Sequence, residues 1–140
     1  MNRRFLFFAA VCGALAVVAG AMLTHQLRDR MPARALDAYE VAVRYQFYHV
    51  FALLAAGVLA GFYPGRWNRW SGNCFIFGII LFCGSLYVIA AIMTNGADIP
   101  RALGLLTPLG GAGFILGWIF LALSVRNEKS AKPGSGSGSI

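Results

Sequence analysis

His25 and His49 are the only histidines in the 140 residues. His49 lies inside an apolar stretch, where an ionisable side chain is a functional hypothesis by default. Around it is the densest polar group to touch any apolar run: Arg44, Tyr45, Gln46, Tyr48 and His49. Three kinds of chemistry suit these residue types. Arginine and tyrosine beside a histidine can hold a lipid headgroup or small anion through charge-assisted hydrogen bonds, which makes Arg44, Tyr48 and His49 the site of a small carrier or lipid/anion-binding protein. Two imidazoles, with Asp29, Asp37 and Glu40 near in sequence, can bind a metal or supply haem with axial ligands, although the spacing of His25 and His49 matches no recognised ligand pattern. The third possibility is structural: a snorkelling arginine, an interfacial aromatic belt and a histidine–tyrosine contact between helices. At about 100° per residue His49 shares a helical face with Tyr45, Ala52 and Ala56, which turns it towards a neighbouring helix. The chain has no nucleophile–base pair, phosphate loop or paired intramembrane carboxylates, so no catalytic residue is assigned and no enzyme is expected. No metal site and no cofactor are assigned either.

The elements that must position these residues are read from hydropathy. Four apolar stretches, Phe5–Leu23, one centred on Phe47–Phe62, Cys74–Met93 and Leu103–Val125, fill most of the chain. Each is close to the ~20 residues that cross the hydrocarbon of a bilayer as a helix. None contains an acid, and charged residues make up only 12% of the chain, too few to cover a soluble domain of this size. The runs are continuous rather than alternating, which excludes a β-barrel. The expectation is an all-α membrane protein, a bundle of four transmembrane helices in a single domain over residues 1–133, with helices near 5–24, 41–63, 74–93 and 106–125. Gly134–Ile140 (GSGSGSI) reads as a flexible linker of the kind left by cloning.

The connection from Thr24 to Glu40 is the longest and the richest in charge. Beyond Pro32, Leu36, Tyr39, Val43, Phe47 and Val50 recur at helical spacing, which predicts an interfacial amphipathic segment running unbroken into helix two. Tyr63-Pro64-Gly65 is a stop signal. Arg66–Trp70 is expected as a short interfacial turn, and Thr107-Pro108 as the N-cap and first residue of helix four. Asn2-Arg3-Arg4 followed by Phe5–Leu23 has the layout of a signal peptide, but the run is long enough to span, so it is read as a retained helix. Cys12, Cys74 and Cys83 lie in apolar segments and are read as small buried residues.

Lipid gives helices little hydrophobic reason to associate, so small residues mark the expected contacts. These are Gly13 and Gly20 in helix one, Ala52 and Ala56 in helix two, Gly84 in helix three, and Gly110, Gly113 and Gly117 in helix four. Gly113-x3-Gly117 serves equally well inside the bundle or between copies, so a homo-oligomer or another membrane protein is a possible partner beside the lipid bilayer. The net charge of +7 is scattered over loops and tails, without a dense basic run, and no nucleic acid is expected. Seven Lys and Arg (Arg3, Arg4, Arg66, Arg69, Arg126, Lys129, Lys132) fall on one side and five (Arg28, Arg30, Arg34, Arg44, Arg101) on the other. That asymmetry predicts a multi-pass protein with both termini cytoplasmic.

Four blocks occur in order: Gly20–His25 (GAMLTH), Ala42–His49 (AVRYQFYH), Leu81–Tyr87 (LFCGSLY) and Leu106–Gly111 (LTPLGG), the last followed by Gly117-Trp118. They resemble a family of small four-helix membrane proteins catalogued as domain of unknown function 423. The resemblance covers about Phe5–Val125, and its most specific parts are Y-Q-x-Y-H and T-P-x-G-G. Leu23 and Thr24 depart from the glycine and alanine that the family usually has before its first histidine. The resemblance implies an inner-membrane or organellar protein without an assigned activity. Non-enzymatic structural or accessory work, within an oligomer or larger complex, is therefore the leading expectation. A carrier or binding protein is the alternative, and a haem or metal protein using His25 and His49 the third.

Overall fold

The computed structural model describes residues 1–126; the expected linker Gly134–Ile140 lies outside the described residues, as do Lys129 and Lys132 of the charge count. Among the described residues four helices are long and apolar enough to cross a membrane: α1 (Arg3–Leu27), α2 (Ala33–Leu59), α3 (Arg66–Thr94) and α4 (Arg101–Arg126). No strand occurs among the described residues.

Local chemistry sets the helix ends. Asn2 caps α1, its Oδ1 accepting from the N–H of Arg4 at 3.1 Å and of Phe5 at 3.4 Å. Two of the four donors that a helix start leaves unpaired are thereby satisfied. Helix α2 begins directly after Pro32, and the amphipathic segment runs without a break into the apolar one. Its 27 residues extend about 40 Å at 1.5 Å per residue, some 10 Å more than a hydrocarbon layer needs.

Two helix starts differ from the sequence expectation. The stretch Arg66–Trp70 is the first part of α3 and not a separate turn. Asn68, Ser71, Gly72 and Phe75 recur at helical spacing on its buried face, while Trp67 and Trp70 lie beside Phe120 of α4, at ring distances of 5.7 and 6.1 Å. Helix α4 starts at Arg101 and passes through Pro108. Thr107 does not cap it, because its Oγ1 is hydrogen-bonded at 2.7 Å to Ser85 Oγ of α3. Pro108 lacks an N–H and so leaves the Gly104 carbonyl without its helical partner, at an exposed residue near the helix end.

Helices α2 and α3 form the inner pair, with α1 along α2 and α4 along α3. The core draws on all four, with Phe5 and Ala9 from α1, Leu53 and Ala56 from α2, Phe75 and Cys83 from α3, and Phe114 from α4. Rings fill glycine notches: Phe5 at Gly72, Phe114 at Gly78 and Phe75 at Gly117. A β-carbon at Gly117 would stand 2.6 Å from the Phe75 ring. Close van der Waals fit of this kind is the main attraction available between helices in lipid.

The expected contact residues divide. Gly13 faces Val50, Gly20 faces Val43, and Ala52 and Ala56 are buried. Gly110 meets the backbone at Phe82, and Gly113 meets Phe77. Both Gly113 and Gly117 are thus occupied inside the bundle. At Gly84 a β-carbon would meet nothing within 4 Å beyond its own helix backbone.

Candidate functional site

His49 is held on the inner face of α2 and is only 6% exposed. Its Nδ1 lies 2.8 Å from the carbonyl oxygen of Tyr45, one turn earlier. A carbonyl can only accept, so Nδ1 carries the proton and the lone pair of the neutral ring is on Nε2. Among the described residues no group hydrogen-bonds to Nε2. The ring stacks on Phe114 of α4 with centroids 3.4 Å apart and planes at 10°, and Tyr45, Phe75 and Trp118 stand around it at 5.9, 6.0 and 6.4 Å.

A groove of about 520 Å³ opens beside the imidazole, with Tyr45, Phe82, Pro108, Ile115 and Trp118 in its walls. Pro108, Ala112, Ile115 and Trp118 are exposed, so the groove opens sideways, on the surface that a bilayer would cover. Its size falls within the range of small-molecule pockets. Phe82 reaches it from a wide π-helical turn, Ile79–Cys83, that interrupts α3. Such turns add a residue to the helix and re-aim the side chains that follow.

The sequence cluster is split by the faces of α2. Tyr45 and His49 line the groove, whereas Arg44 and Tyr48 are exposed, Tyr48 by 56%. Gln46 is buried on the other edge of the inner face. Its Nε2 donates to the Cys12 carbonyl of α1 at 2.8 Å, and its Oε1 accepts from the Tyr87 hydroxyl of α3 at 2.8 Å. Tyr87 packs edge-on against Tyr39 at 5.0 Å, and the Tyr39 hydroxyl donates to the Ala19 carbonyl at 3.1 Å. Gln46 is therefore a tie between three helices.

His49 lies about 24 Å along α2, because that helix begins at Ala33. Its neighbour Val50 meets Gly13, close to half-way along α1. His25 is exposed in the last, wide turn of α1, Leu23–Leu27. It stands about 18 Å further along the α1 axis than Gly13, too far for both rings to bind one metal or haem iron. Among the described residues no group of three or more His, Cys, Asp or Glu could hold a metal ion. The three cysteines are free thiols.

Sequence reasoning did not place Phe82, Phe114 or Trp118 in the site. Spacing marks a face within one helix, and these residues come from two others. The π turn also shifts the phase of α3, so a regular period carried through it misplaces Phe82.

The family described as protein of unknown function DUF423 matches residues 19–111, more than half of the chain. The chain belongs to the DUF423 family. A UPF0382 membrane protein of Staphylococcus saprophyticus is 37% identical over 85% of this chain and 93% of its own length. One from Haemophilus influenzae is 33% identical over 93% of this chain and 99% of its own. The UPF0382 inner membrane protein YgdD of Escherichia coli is 33% identical over 92% and 95%. No solved structure matches. The DUF423 match contains Tyr45, His49, Phe82 and Pro108 of the groove and stops short of Phe114 and Trp118. This DUF423 protein is thus a membrane protein of four candidate spans, like its relatives by name.

Proposed function

We propose that this DUF423 protein is a non-enzymatic accessory protein of the membrane that binds a small lipid-soluble molecule in the groove beside His49. The ligand is apolar along most of its length and carries one hydrogen-bond donor, which it gives to His49 Nε2. The observation that carries the reading is that imidazole: buried about 24 Å along α2, fixed by its Nδ1 and stacked on Phe114, it lines an aromatic groove and has no hydrogen-bond partner at Nε2. A polar atom that faces lipid without a partner is costly, since no water is there to bond it, and a ligand donor would remove that cost. Binding is favoured over turnover because the lining offers only His49 and Tyr45 as titratable groups, their side chains are not hydrogen-bonded to each other, and no carboxylate, thiol or cation stands with them. Arg44 and Tyr48 are outside this lining, so the ligand needs no negative charge.

The orientation belongs to the same reading. Arg3, Arg4, Arg66 and Arg69 gather at the end where α1 and α3 begin, while at the other end Asp29 and Asp98 are on the connections and Asp37 and Glu40 are in the first turns of α2. The sequence count of seven Lys and Arg against five, Lys129 and Lys132 included, favours that first end as the cytoplasmic one by the positive-inside rule.

The test is photolabelling in nanodiscs with a long-chain alcohol bearing a diazirine, followed by peptide mapping. Labels are expected on Phe82, Ile115 and Trp118 well above those on Phe7 and Val18, which are lipid-exposed positions of α1. Ala112→Phe, which fills the groove, should remove the excess and leave Phe7 and Val18 unchanged. Equal labelling of groove and α1, insensitive to Ala112→Phe, would mean that the groove holds only bulk lipid tails.

A further inference from the structure

A second cavity, of about 430 Å³, lies at the other end of the inner helices, between the start of α1 and the connection from α2 to α3. Arg3, Arg4, Pro64, Gly65, Asn68 and Arg69 line it. It shares no residue with the groove at His49. Asn68 is only 1% exposed, and neither its Nδ2 nor its Oδ1 has a hydrogen-bond partner among the described residues. A native protein rarely leaves a whole carboxamide unpaired in its interior, and such a group asks for a missing partner.

The rest of the lining is strongly electropositive. Arg3, Arg4 and Arg69 are exposed, and no carboxylate pairs with them among the described residues, where the ion pair found is Arg28–Glu40 at the opposite end. Helix α3 begins here after Gly65 without a side-chain cap, so the N–H groups of its first turn have no partner within the helix. Unpaired first-turn N–H groups and the helix dipole together favour an anion. Arginine adds paired donors matched to phosphate oxygens.

We infer that this cavity binds a phosphate group, carried by an anionic lipid headgroup or free in solution. The guanidiniums of Arg3, Arg4 and Arg69 neutralise the charge, the α3 N–H groups bond the oxygens, and Asn68 Nδ2 donates from the floor. Asn68 Oδ1 accepts from a hydroxyl next to the phosphate, in the headgroup or a bound water. Arginines that served only to orient the chain in the membrane would have no use for Asn68.

The test uses the full chain in nanodiscs, with thermal stability as the readout. One arm adds inorganic phosphate to phosphatidylcholine discs at constant ionic strength against chloride. The other arm compares phosphatidylcholine discs with discs containing phosphatidylglycerol. Wild type should be stabilised in at least one arm. Stabilisation by phosphatidylglycerol alone identifies a lipid headgroup; stabilisation in both identifies a site open to free phosphate. Asn68→Leu should fold and be at least as stable without the anion, since it removes an unpaired polar group, yet need about tenfold more anion for half its stabilisation. Arg69→Gln should weaken the response similarly, while Arg44→Gln, a cation far from this cavity, should leave it unchanged. The inference fails if wild type responds no more than in chloride, or if Asn68→Leu and Arg69→Gln both respond as wild type does.

Discussion

Gln46 and His49 stand three residues apart on α2 and do different work. Gln46 is satisfied at both ends of its carboxamide, by Cys12 and Tyr87, and so joins α1, α2 and α3. Gln46→Leu leaves the Tyr87 hydroxyl unpaired inside the bundle, and the expected loss is about 1–2 kcal/mol of stability. Tyr87→Phe should cost about 1 kcal/mol or less. The double variant should lose less than the sum, as a double-mutant cycle of reversible unfolding in detergent would measure. Strictly additive losses would mean that the two side chains are not bonded to each other. Both residues were legible in the sequence as members of the densest polar group to touch an apolar run, and His49 was legible as inward-facing. Their partners were not. A tyrosine at position 87 has the same composition whether it faces lipid or Gln46, and only the register between helices decides.

Between elements, fit is set by where backbone rather than side chain stands opposite a glycine. A β-carbon at Gly110 would come within 2.8 Å of the Phe82 Cα, and backbone there has little room to retreat. Gly110→Ala is therefore expected to destabilise by about 2 kcal/mol or more, by the mechanism of overpacking. Gly84→Ala, with open space around it, should be neutral or stabilise by up to about 1 kcal/mol through helix propensity. Unfolding of the two variants side by side in detergent checks both signs. Equal destabilisation would contradict the packing of α3 on α4. From sequence these glycines carry equal weight as small residues, since spacing identifies a stripe but not the helix that covers it. The extent of α4 was misread for a related reason. Thr107-Pro108 has the chemistry of a helix start, but Ser85 on a different helix takes the threonine hydroxyl, and packing continues the helix through the proline.

For the whole molecule, four helices and their order follow from hydropathy alone, because in lipid the backbone leaves helices as the choice for continuous apolar runs. The position of His49 along its helix follows from the unbroken run of α2 from Ala33, directly after Pro32, in line with the amphipathic spacing of the sequence. The proposed orientation makes a direct prediction. Cysteines placed at the exposed positions Ala33 and Ala97 should react with an impermeant maleimide from outside the cell, and one at Gly65 should not. Ser71 is unsuited to the purpose, being buried with its hydroxyl 2.9 Å from the Gly117 carbonyl. The reverse pattern would overturn the seven-to-five charge argument. The central claim, a groove that reads a hydrogen-bond donor through His49 Nε2, is tested most directly by thermal stabilisation with a long-chain alcohol and its methyl ether. His49→Phe keeps the stack on Phe114 and most of the volume but removes the acceptor. Wild type should bind the alcohol about fivefold more tightly than the ether, the equivalent of one neutral hydrogen bond of about 1 kcal/mol. In His49→Phe the preference should vanish while the ether binds as before. An alcohol preference that survives His49→Phe, or none in wild type, would contradict the account.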